Sequence, residues 1–188
     1  METSHANSAL LVLDMQEVLL GSLPGADLLI NATATTIKKA RELNIPVIYA
    51  VVGFREGFPE ISPNSKAFSG IRERFANITM QQWTKIAEPL KPAANEIVVY
   101  KKRYSAFAGN DLEMIFRSQG IQHLILTGVV TSGVILSTFT EAADKDYRLT
   151  VLEDCCKDRD EEVHKVLTRK VFPRAGTVLS SLDWIASF

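Results

Sequence analysis

Short apolar runs alternate with longer segments of helical periodicity along almost the whole chain. Residues 9–15 open with five consecutive apolar positions, the pattern of a strand buried on both faces. Leu23-Pro24-Gly25 then starts a helix of about 20 residues, with Leu28, Leu29, Ala32, Thr36, Ile37, Ala40 and Leu43 as its apolar stripe. Asn44 ends that helix, and residues 46–52 form a second strand. Further strands are predicted at 96–100, 123–127, 148–153 and 177–179. Helices are predicted at 110–119, from about 132 to 147, at 160–172 (stopped by Pro173) and at 181–187. Asn110 is the expected N-cap of the first of these, with Glu113 in the capping-box position. Residues 53–85 are the least regular stretch, and a connection of that length usually serves as a lid or binding segment.

Strands separated by helices imply right-handed βαβ crossovers. The expected fold class is therefore α/β: a three-layer α/β/α domain with a six-stranded, mostly parallel sheet, spanning residues 1–188. Periodicity does not give the strand order.

Composition narrows the function classes. With 46% hydrophobic and 23% charged residues in 188, the chain is an ordinary globular one, which excludes disorder, collagen-like repeats and a disulfide scaffold. Lys and Arg total 21 against 22 for Asp and Glu, so the net charge of −1 offers no footprint for nucleic acid or anionic lipid. The apolar runs fall well short of the roughly 20 residues that span a bilayer, and residues 1–8 show no secretory pattern. Cys155 and Cys156 are adjacent, with Cα atoms about 3.8 Å apart, closer than a bridge normally allows. A reducing cytoplasm is the expected setting.

Open α/β sheets bind ligands beyond the carboxyl ends of their strands. The polar residues that follow each strand are thus the candidates for chemistry. Asp14 closes the first strand at the edge of a desolvated region, where a carboxyl can be tuned for general acid or base work. Lys101 and Lys102 follow the third strand, and position alone does not choose between them. Asp154, Cys155 and Cys156 are expected on the same rim after the fifth strand. The segment Gly128–Gly133 lacks the lysine of a phosphate loop and begins a helix whose free N–H groups suit an oxyanion or carboxylate. His5, His123 and His164 have no ligand spacing, so no metal is expected, and His164 reads as a surface helix residue.

Three motifs combine these positions: Asp14-Met15-Gln16, Lys101-Lys102-Arg103-Tyr104-Ser105-Ala106-Phe107 and Thr127-Gly128-Val129-Val130-Thr131. Ser137-Thr138 with Ala142, and Leu152-Glu153-Asp154, follow in order. Together they resemble the isochorismatase-like hydrolase family, also called the cysteine hydrolase superfamily. The resemblance implies strand order 3-2-1-4-5-6 and a small-molecule substrate. It implies Asp14 and Lys101 as catalytic residues, no cofactor, and a cis Val130-Thr131 peptide. Relatives are commonly homodimers or larger, and a homo-oligomer is expected here. Gln16, Phe54, Arg55, Tyr104, Phe107, Thr131, Ser132, Gly133 and Val134 are the expected substrate-binding residues, with Arg72 and Arg74 as further anion anchors.

The chain departs from the family's pattern in three places. Most members carry a nucleophilic Cys where Val134 stands, three residues after Thr131. Isochorismatases themselves also lack that thiol and use the Asp as a general acid toward a vinyl ether, which Asp14 and Lys101 fit. Val52 stands where those enzymes place a substrate-holding Gln, and residues 53–75 contain no His for a nicotinamidase metal site. Thiol-independent hydrolysis of an anionic substrate is therefore expected. The alternatives are an amide hydrolase using Cys155 or Cys156 and a binding protein without catalysis.

Overall fold

The computed structural model describes residues 7–74 and 77–188, except for the side chains of Arg72 and Arg74. His5, Arg72 and Arg74, as side chains, lie outside the described residues. In chain order the elements are β1 (Ser8–Leu13), α1 (Glu17–Leu20), α2 (Ala26–Glu42), β2 (Val47–Val52), the one-turn helices α3 (Ile71–Arg74) and α4 (Met80–Trp83), and β3 (Ile97–Lys101). Then come α5 (Leu112–Ser118), β4 (His123–Val129), α6 (Leu136–Asp144), β5 (Arg148–Lys157), α7 (Glu161–Val166), β6 (Thr177–Leu179) and α8 (Ser181–Ala186). All neighbouring strands are parallel, in the order β3-β2-β1-β4-β5-β6. Class and order are as expected.

The continuous apolar run of β1 is explained by its place between β2 and β4, where all six residues are buried. Its side chains alternate between two cores, as the two-residue period of a strand requires. Leu11 and Leu13 pack with Phe116 of α5 and Phe139 of α6. Leu10 and Val12 pack with Leu29 and Ile37 of α2 and Trp184 of α8. A third, smaller cluster gathers Val52, Phe54, Ile61, Phe68, Ile71 and Trp83. It folds the irregular 53–85 segment onto the carboxyl edge of the sheet, beside the end of β2.

Three boundaries differ from expectation, each for a local reason. Asp111, not Asn110, is the N-cap of α5, while Asn110 Oδ1 accepts the Leu112 N–H at 2.8 Å. Glu113 does not turn back on that helix start, because Arg117 at 3.1 Å and Lys145 at 2.6 Å hold its carboxylate. The helix after β4 begins as a wider π-helical turn over Thr131–Ile135 before α6. The largest difference is in β5, which runs to Lys157 rather than stopping at 153. Leu126 pairs with Val151 but Gly128 with Cys156, so β5 bulges between them. Asp154, in the bulge, accepts from the Ser181 N–H at 2.7 Å and hydroxyl at 2.6 Å and so fixes the start of α8. Asp154, Cys155 and Cys156 therefore do not stand on the rim.

Gly128 lets β1 and β4 approach where both leave the sheet. Its φ is +136°, and a Cβ there would collide with the Leu13 carbonyl. Gly128→Ala is expected to cost at least about 3 kcal/mol in urea unfolding. Gly120→Ala, at φ +65° with open space around it, should cost only about 1 kcal/mol. Equal losses would show that the close approach at Leu13 is not what Gly128 serves.

Candidate active site

Asp14 follows the central strand with φ 54°, a left-handed conformation that Asp tolerates better than most residues. Its N–H donates to the Ala50 carbonyl at 2.8 Å, which ties the turn to β2. Lys101 ends β3, two strands or about 10 Å away, with Val52 of β2 in register beside it. The lysine stem spans the end of β2, and Nζ meets Asp14 Oδ2 at 2.8 Å. These side chains are only 1% and 8% exposed. Lys101 Nζ also donates to the Arg103 carbonyl at 2.9 Å. Lys102 lies elsewhere, donating to the Gly53 carbonyl at 2.6 Å.

Asp14 Oδ1 is buried and has no hydrogen-bond partner among the described residues. Burial raises the Asp14 carboxyl above its ordinary range, and Lys101 offsets this only in part. The Val52 amide, whose N–H goes to Gln16 Oε1 at 2.9 Å, contributes least. Asp14 is thus a carboxyl with one oxygen anchored and the other uncommitted.

Asp14 and Lys101 line a cavity of about 290 Å³. Leu19, Leu23, Phe68, Ile71 and Trp83 supply an apolar wall, and Val52 the edge of β2. Tyr104, Ser132 and Val134 also line it, with Val129 and Val130. The cis peptide here is Val129–Val130, one bond earlier than the resemblance implied.

The other expected binding residues lie behind or beyond this wall. Gln16 is fully buried, and its Nε2 donates to the Trp83 carbonyl at 2.7 Å and the Val52 carbonyl at 3.3 Å. It clamps the lid segment to the sheet. Phe54 packs edge-on to Phe68 at 5.9 Å, one layer out. Arg55 pairs with Glu60 at 2.8 Å and is largely exposed. Phe107 belongs to the core against Phe116. The Thr131 hydroxyl is 2.8 Å from His164 Nδ1, so His164 is a half-buried partner of this turn rather than a free surface residue. Gly133 packs tightly on Val130, with room for a Cβ only 3.0 Å from Cγ2.

Sequence reasoning missed Asp158 and Arg159, which both line the cavity. The extra length of β5 is what carries them to the rim, and only the bulge could have signalled it. Asp158 Oδ2 accepts the Ser132 N–H at 2.6 Å, and Oδ1 accepts the Asp160 N–H at 3.3 Å. Burial pushes its carboxyl up, but bonds from Ser132, Asp160 and Arg159 outweigh this and hold it below the ordinary range. The Ser132 N–H expected to meet an oxyanion is therefore already occupied. Arg159 is exposed and reaches Ser22 Oγ at 3.5 Å.

The Isochorismatase domain model matches residues 8–183, which take in every element of this site. The chain belongs to the isochorismatase family. With that membership it is a hydrolase. It is 27% identical to the uncharacterised isochorismatase family protein YecD of Escherichia coli O157:H7, over 96% of this chain and 95% of that one. It is 34% identical to the ureidoacrylate amidohydrolase RutB of Yersinia enterocolitica, over 78% and 74% of the two chains. An isochorismatase family protein from Burkholderia thailandensis has the same fold, with a TM-score of 0.83 at 23% identity, covering 96% and 95%.

Two predictions follow from the geometry. Lys101→Met leaves the Asp14 carboxylate buried without its partner and should destabilise the fold by about 3–5 kcal/mol. Adding Asp14→Asn to that variant should recover part of the loss, read from urea midpoints. Cys155 and Cys156 are both buried, and burial pushes the Cys155 thiol up to about 11. Native protein at pH 7.5 (about 3 units below that value) should therefore take no iodoacetamide label until it is unfolded. Labelling of either thiol in the native state would contradict this placement.

Proposed function

We propose that this isochorismatase-family hydrolase cleaves a small anionic substrate by proton transfer from Asp14, without a covalent thiol intermediate, and that a vinyl ether such as isochorismate represents the substrate class. The observation that carries this reading is the uncommitted Oδ1 of a buried Asp14 carboxyl in a largely apolar cavity. Val134 in the cavity wall has no group to attack a carbonyl, and neither Cys155 nor Cys156 lines the cavity.

In this scheme Asp14 gives its proton to the terminal carbon of the vinyl ether. The π electrons form the new C–H bond and leave an oxocarbenium ion. Water adds to the cationic carbon, and its proton returns to the Asp14 carboxylate. The hemiketal then breaks its C–O bond to release an alcohol and a keto acid. Lys101 stabilises the carboxylate between the two transfers and keeps Oδ2 oriented. Arg159 is the cation in the wall suited to the substrate's carboxylate. Burial, which raises the Asp14 carboxyl above its usual range, favours the protonated form that such an acid needs.

The chain's similarity to a named amidohydrolase gives a second reading, hydrolysis of an amide with water as the nucleophile and Asp14 as base. The same proposal places the protein in the cytoplasm, where both thiols stay reduced, as a homodimer or larger homo-oligomer. No described helix is long and apolar enough to cross a membrane.

A mixed substrate panel scored for pyruvate and ammonia separates the readings, with wild type and Asp14→Asn side by side. Pyruvate release is expected, falling at least about 100-fold in Asp14→Asn and persisting in a Cys155→Ser, Cys156→Ser variant. Since Asp14 acts protonated, the rate should fall as pH rises through its elevated pKa, with that limb absent from any residual activity of Asp14→Asn. Ammonia release dependent on Asp14 would replace the vinyl ether with an amide. Unchanged turnover in Asp14→Asn would remove Asp14 from the chemistry.

A further inference from the structure

The least expected group in the cavity is Asp158. It reaches the wall only because β5 bulges and extends to Lys157. It is 9% exposed and lines the same cavity as Asp14. No Lys or Arg side chain among the described residues pairs with it within 4.0 Å, and Arg159 reaches Ser22 instead. What holds it is backbone: the Ser132 N–H on Oδ2 and the Asp160 N–H on Oδ1.

This arrangement has a chemical meaning that Asp14 alone does not. A hydrolase that passes through an oxyanion needs N–H groups aimed at the developing negative charge. Here the Ser132 N–H is given to Asp158 and the Gly133 N–H to the Val130 carbonyl at 3.1 Å. An oxyanion approaching that turn would meet a fixed carboxylate. A cation would meet the reverse. The two carboxyls are also pushed in opposite directions, Asp14 toward holding a proton and Asp158 toward remaining charged, which is how one pocket separates an acid from an electrostatic stabiliser.

We propose that Asp158 is a second functional carboxylate of this cavity, held by backbone amides to stabilise positive charge developing on the substrate, so that the site is built for cationic transition states. This inference rests on the acid-catalysed reading above and adds to it a residue and a class of ligand: flat apolar cations should bind as mimics of the activated substrate. In the reaction, Asp158 neither gives nor takes a proton. It faces the oxocarbenium carbon, and accepts a hydrogen bond from the water that adds to it, while the water's proton returns to Asp14.

The test uses two probes of nearly equal shape, benzamidinium and benzamide, titrated calorimetrically into the full chain at pH 7. Benzamidinium is expected to bind at least 10-fold more tightly than benzamide. Asp158→Asn keeps a side-chain oxygen for the Ser132 N–H and removes the charge, and should bring benzamidinium within 3-fold of benzamide. Asp14→Asn should keep most of the preference. Equal binding of benzamidinium and benzamide to wild type, or no binding of either probe, would overturn the proposal even if Asp158→Asn failed to fold. A preference that survives Asp158→Asn, or that vanishes only in Asp14→Asn, would overturn the assignment to Asp158. These outcomes are independent of the product panel: loss of the pyruvate signal refutes the vinyl ether reading, whereas loss of cation preference refutes Asp158's role alone.

Discussion

The ion pair between Lys101 and Asp14 is the constraint around which the carboxyl edge is arranged. It joins β3 to β1 across the end of β2. Two charges removed from water are costly unless their geometry is good and their remaining valences are satisfied. Lys101 meets that demand with its bond to the Arg103 carbonyl. Asp14 meets it only halfway, since one oxygen is left without a partner among the described residues. Leaving a buried polar atom uncompensated costs stability, and here that atom faces the cavity rather than the packed core.

The lid around this pair is fastened by polar contacts at its downstream end. Gln16 and the Trp83 indole both bind the ends of β2, with the indole N–H on the Val52 carbonyl at 2.8 Å. Main-chain bonds from Glu17 to Lys85 and from Ala87 to Met15 continue the seam. The aromatic side chains then close over the cavity without needing a regular element. This is why residues 53–85 look formless in the sequence yet contribute a compact cluster.

The sheet was legible because burial on both faces writes itself as continuous apolar runs, and β1 and β2 carry such runs without interruption. Asp14 and Lys101 were legible as residues that end strands, although choosing Lys101 over Lys102 needed the family resemblance. Gln16 and Phe107 lie behind the cavity wall for a shared reason: a motif shows which residues a fold keeps together but not which of them face the cavity. Asp158 was invisible because Glu153 and Asp154 look like the end of a strand. A bulge turns them outward while the strand continues past them.

That bulge has a consequence beyond placing one side chain. Asp158 and Arg159 both line the cavity, whereas Lys157, the residue before them, points away from it toward Gly25. Gaining a single residue between Val151 and Cys156 would slip the register by one and bring Lys157 to the place where the carboxylate now stands. The charge presented beside Ser132 is therefore encoded in the length of a strand.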